Sequence, residues 1–66
     1  MRIGDIILFT MGNERSWGLG ILVDKHSLNH DQIYKIYFPN KNIQLLYTEV
    51  EIINNAKTIN KKELKQ

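Results

Sequence analysis

The residues best equipped for chemistry in this 66-residue chain cluster between Asp24 and Asp31. His26 and His30 stand four apart there, with Asp24 and Asp31 beside them, and these types can ligate a divalent metal. Four-residue spacing brings two histidines together on a helix, but the segment reads as a polar loop. The chain has no other histidine and no cysteine, so a zinc shell stays incomplete. No metal and no cofactor is expected. Catalytic motifs are equally absent: there is no cysteine nucleophile, no G-x-S-x-G elbow, no Walker loop and no dinucleotide glycine pattern. Asp24 near His26 has the types of an acid–base pair, yet such neighbours are commonplace in loops. Gly18-Leu19-Gly20 runs on into a strand rather than a helix, so it does not cradle phosphate. The chain reads as a non-enzyme.

Two further sets could bind without reacting. Trp17, Tyr37 and Tyr47 could form an aromatic patch, although in so small a fold most aromatics pack in the core or at its rim. Arg15, Lys41, Lys57, Lys61 and Lys62 are the cations that could meet a nucleic-acid backbone. The formal charge of +2 is unevenly spread. Residues 57–66 hold four lysines against Glu63, while the remainder sets five cations against six carboxylates. A basic tail on a near-neutral body weakens the case for nucleic acid, which asks for a basic face on the fold.

The elements that must position these residues are organised around Trp17-Gly18-Leu19-Gly20-Ile21-Leu22-Val23-Asp24, read as a long bent strand from Trp17 to about Lys25. Glycine weakens a strand, so two at alternate positions point to a sharp bend or a close backbone approach. Ile6-Ile7-Leu8-Phe9-Thr10 reads as the first strand, and Met11 to Ser16 as a loop. His26 to Asp31 is the next loop. Ile33-Tyr34-Lys35-Ile36-Tyr37-Phe38 is the third strand, stopped by Pro39-Asn40-Lys41-Asn42. Ile43 to Tyr47 is the fourth, and after a break at Thr48-Glu49 a short fifth follows at Val50-Glu51-Ile52-Ile53. Residues 55–66 read as a basic tail, disordered or at most a short helix, whose deletion from Lys57 should change stability within about 0.5 kcal/mol. A single domain over residues 1–54 is all that the length permits. With no disulfide available, its core must supply nearly all the stability. Met1-Arg2-Ile3-Gly4-Asp5 lacks the apolar run of a signal peptide, and no stretch reaches transmembrane length. The expectation is a soluble cytoplasmic protein with no membrane association.

Five short strands joined by tight turns imply an all-β fold, a small closed or partly open barrel. Gly4-Asp5, the alternation of Ile7 and Phe9, Gly12, and Gly18-Leu19-Gly20-Ile21 resemble the SH3-like barrels, in particular the branch that holds KOW and Tudor domains. With Tyr34 to Phe38 and Glu49 to Ile53, residues 1–53 also look like small barrel proteins encoded by bacteriophages. The resemblance implies a five-stranded SH3-like barrel and, for a phage product, the host cell cytoplasm. In Tudor domains an aromatic cage holds methylated lysine or arginine, and signalling SH3 domains hold proline-rich peptide. The long acidic loop of signalling SH3 domains is missing here, since Asn13-Glu14-Arg15-Ser16 is too short to replace it. The KOW resemblance implies RNA, ribosome or DNA binding through Arg15, Lys41 and the tail lysines.

One feature exceeds a plain barrel. Strand 1 is apolar on both faces, so if Ile7 and Phe9 point inward, Ile6 and Leu8 point outward. The same conflict recurs at Leu45-Leu46 and Ile52-Ile53. Either loops, bulges or a helical tail carrying Ile59 and Leu64 absorb the surplus, or it marks a binding surface. The leading reading is a phage-encoded accessory protein that binds a larger protein through Ile6, Leu8, Trp17, Tyr37, Leu46 and Tyr47. Pairing of two copies over Ile6 and Leu8 is a further expectation.

Overall fold

The computed structural model describes residues 1–59. Five strands form one antiparallel sheet: β1 (Ile6–Phe9), β2 (Leu19–Leu28), β3 (Asp31–Phe38), β4 (Ile43–Thr48) and β5 (Ala56–Ile59). Their spatial order is β4-β3-β2-β1-β5. Consecutive strands therefore pair in turn, and the last returns to the free side of the first. Among the described residues the sheet is not closed, which leaves β4 and β5 as its two edges. A 3-10 turn covers Asn13–Trp17, and a helix, α1 (Glu49–Asn55), links β4 to β5.

Alternation decides the two faces. Ile7 and Phe9 of β1, Leu22 of β2, Tyr34, Ile36 and Phe38 of β3 and Tyr47 of β4 are buried together, with Ile52 of α1 closing over them. Opposed residues of an antiparallel pair share a face, and the register agrees, with Leu22 against Ile36 and Tyr34 against Tyr47. The centre is aromatic. Phe9 lies 4.9 Å from Tyr47 and 5.7 Å from Phe38, and Trp17 meets Phe38 edge-on at 5.1 Å. Gly20 faces this cluster, where a Cβ would come within 2.5 Å of Ile36 Cγ2. That is the close approach which the glycine-bearing strand foretells. β2 also changes register between Leu22 and Asp24, as a bulge does, and bulges bend and twist a strand.

The chain departs from its sequence reading at three places. Val50-Glu51-Ile52-Ile53 is helix, not a fifth strand, because Thr48 and Glu51 build a capping box. Thr48 Oγ1 accepts from the Glu51 amide at 3.3 Å, and the Thr48 amide donates to Glu51 Oε1 at 2.8 Å. This satisfies two donors at the helix start that a strand would have used in a ladder. The helix also settles the Ile52-Ile53 conflict, burying the first and leaving the second exposed. The fifth strand is instead Ala56–Ile59, where a tail was expected, with Ile6 opposite Ile59 and Phe9 opposite Ala56. The rest of that expected tail, including Leu64, lies outside the described residues. Finally, β2 and β3 extend through most of the expected His26–Asp31 loop, meeting at Asn29 (φ 51°) and His30 (φ 71°). Positive φ at both central residues is the geometry of a two-residue hairpin turn.

Candidate functional site

The face of the sheet opposite the core carries the outward apolar residues. They fall into register. Ile59, Ile6, Ile21, Tyr37 and Gln44 are opposed one to the next, giving a single row across all five strands. The first four are half-buried. Leu8 lies between Leu19 and Lys57 in the neighbouring row. On the far side Leu46 stands opposite Lys35. Leu19 is 39% exposed and Leu46 58%, so the face is apolar at its centre and open at both ends. Tyr37 holds its ring in this row through a hydrogen bond from its Oη to Asn42 Oδ1 at 3.0 Å. Lys57, Lys35 and Asp24 are exposed or half-exposed charges along its border.

Ile6, Leu8, Tyr37 and Leu46 are thus brought onto one face, as strand alternation implied for the first two. Trp17 and Tyr47 are not part of it. Tyr47 is a core residue on the other face, and Trp17 packs against the core beside Phe38. The three aromatics do not converge on one cage. The Nζ of Lys41 sits 5.9 Å from the Trp17 ring centroid, so that ring already faces a cation of its own chain. Tyr47 is tied down further by a hydrogen bond from its Oη to Glu14 Oε2 at 2.9 Å. Burial, with the Glu14 carboxylate adding to it, raises its pKa well above the usual tyrosine value.

Of the cations, Arg15 is exposed on the 3-10 turn and Lys41 is exposed in the β3–β4 turn, near Trp17. Lys57 is exposed on β5 beside Leu8. Lys61 and Lys62 lie outside the described residues. Among the described residues no group of three or more acidic, histidine or cysteine side chains is arranged to hold a metal, and no helix is long and apolar enough to cross a membrane.

Ile21, Leu19 and Ile59 belong to the apolar face but do not stand out in the sequence. The alternation set by Gly20 and Leu22 would have placed Leu19 and Ile21 outward. Ile59 carried no such signal, because its strand is too short to show a period. No protein-family model matches the chain, and no curated protein or solved structure matches it either.

Proposed function

We propose that this chain is a non-enzymatic interaction module, a small SH3-like barrel that docks on a larger protein through the outer face of its sheet. The observation that carries this reading is the apolar row Ile59–Ile6–Ile21–Tyr37 with Leu8 and Leu19 beside it. Scattered single apolar residues on a surface are ordinary, whereas a contiguous patch rimmed by charge is the usual mark of an interaction site. The barrel reading draws support from the strand order, in which the fifth strand returns beside the first, and from the register slip in β2, since bulges bend and twist strands. The resemblance to small phage-encoded barrels extends the proposal to a viral accessory protein acting in the host cell cytoplasm.

The test compares capture from native extract by the wild-type chain and by Leu19→Lys, a change at an already open position. A protein retained by the wild type and lost with the variant is the expected result. Recovery of nucleic acid without protein, or equal retention by both chains, overturns the reading. In the first case the KOW-like alternative, with Arg15 and Lys41 as its carriers, takes its place, and binding then falls steeply with salt.

A further inference from the structure

We propose that β4 is a pairing edge and that its occupant is the β4 strand of a second copy, joined antiparallel about a twofold axis. Leu46 belongs to the outer face as well, but this pairing rests on the backbone edge, which the docking reading does not use. Each edge of an open sheet presents unpaired amides and carbonyls, and proteins normally guard such edges with charge, proline or brevity. β5 is guarded in this way, being four residues long and carrying Lys57. β4 is not. Its six residues, Ile43-Gln44-Leu45-Leu46-Tyr47-Thr48, contain no charge, no proline and no glycine. Gln44, Leu45 and Leu46 are exposed in succession. Since successive strand residues face opposite sides, both faces of this edge are open at its middle.

Charge and parity select a second copy. A twofold axis perpendicular to the sheet keeps each face on its own side, so only residues of equal parity are opposed across it. Centring on Leu46, the most exposed apolar residue of the strand, sets Leu46 against its own copy, Gln44 against Thr48 and Leu45 against Tyr47. Every opposed pair is uncharged, the two amide- and hydroxyl-bearing residues meet each other, and no like charges face across the seam. Self-pairing through β5 would instead gather two copies of Lys57 at the seam. The product is a continuous sheet of ten strands in which the outer apolar rows of the two copies lie on one surface.

Sedimentation velocity from about 10 μM to about 1 mM protein reads the association. The wild type is expected to pass from monomer to dimer over this range. Leu46→Lys sets two ammonium groups against each other at the centre, where like charges oppose pairing, and is expected to weaken the dimer at least tenfold. Leu19→Lys, on the docking face, is expected to dimerise as the wild type does, which separates this proposal from the preceding one. Hydrogen exchange on the wild type provides a readout that needs no variant: rising concentration should slow the amides of β4 and leave those of β5 unchanged. A monomer at every concentration overturns the proposal. So does a dimer indifferent to Leu46→Lys, or one whose protection appears on β5 or β1 in place of β4.

Discussion

The phenol of Tyr47 donates to Glu14 Oε2 at 2.9 Å, joining β4 to the 3-10 turn across thirty-three positions of sequence. This bond fastens the loop that carries Trp17 over the aromatic core, so the core is lidded by a polar contact as well as by packing. Tyr47→Phe keeps the ring and removes the bond. The expected loss is about 1 kcal/mol, read as a lower urea midpoint at unchanged slope.

The same pair implies an alkaline limb in stability. With its pKa raised by burial and by Glu14, Tyr47 holds its proton in the folded chain at pH values where the unfolded chain has released it. Stability from this group is therefore complete below the ordinary tyrosine value of 10.0 and declines as pH climbs past it. Urea titrations at rising pH should show the decline, and Tyr47→Phe should shrink it relative to the wild type.

Gly20→Ala drives a methyl group into Ile36 Cγ2 and Phe38, both fully buried members of the core. Neither neighbour has an exposed end to swing away. Overpacking of this kind costs about 1–3 kcal/mol, and thermal melting of the variant measures it.

Thr48→Ala removes the side-chain acceptor at the start of α1 and should cost about 1 kcal/mol. Glu51→Ala removes the reciprocal acceptor. Because the two share one box, the double variant should lose less than the sum of the singles. Additive losses in denaturant titrations would mean that the two bonds act independently.

Truncation after Asn55 should destabilise the chain by about 2 kcal/mol or more, since it strips the Ile59 side from Ile6 and Ala56 from Phe9, and each sizeable apolar side chain returned to water costs on that order. That is the opposite of the indifference expected of a disordered tail. Melting curves of the full and shortened chains decide between them.

β1, β3 and β4 could be read from the sequence almost to their ends, because dense β-branched and aromatic runs with polar punctuation leave little choice. α1 could not. Val50-Glu51-Ile52-Ile53 has strand-forming types, and the decisive signal was the Thr48-x-x-Glu51 spacing, a capping pattern that outweighs the propensity of four residues. β5 was hidden for another reason: an edge strand of four residues with Lys57 and Thr58 exposed has too few buried positions to display alternation. The hairpin turn at Asn29-His30 lacks glycine, and so it looked like a loop. Within the site, Ile6 and Leu8 followed from alternation alone. Their partners Ile21 and Ile59 depend on register, which pairs distant segments and leaves no mark in either one.

The far end of the β2–β3 hairpin has its own consequence. β4 pairs with β3 only from Ile33 onward, so residues from His26 to Gln32 answer chiefly to each other, through the strand register and a bond from Gln32 Nε2 to Ser27 Oγ at 2.6 Å. This arm can open and re-form while the aromatic core stays shut, on the ladder of local openings that lie below global unfolding. It is therefore where the molecule can accept foreign cargo: an epitope or a fluorescent label spliced between Asn29 and His30 would ride on the arm and leave the aromatic core and the outer row of the sheet undisturbed.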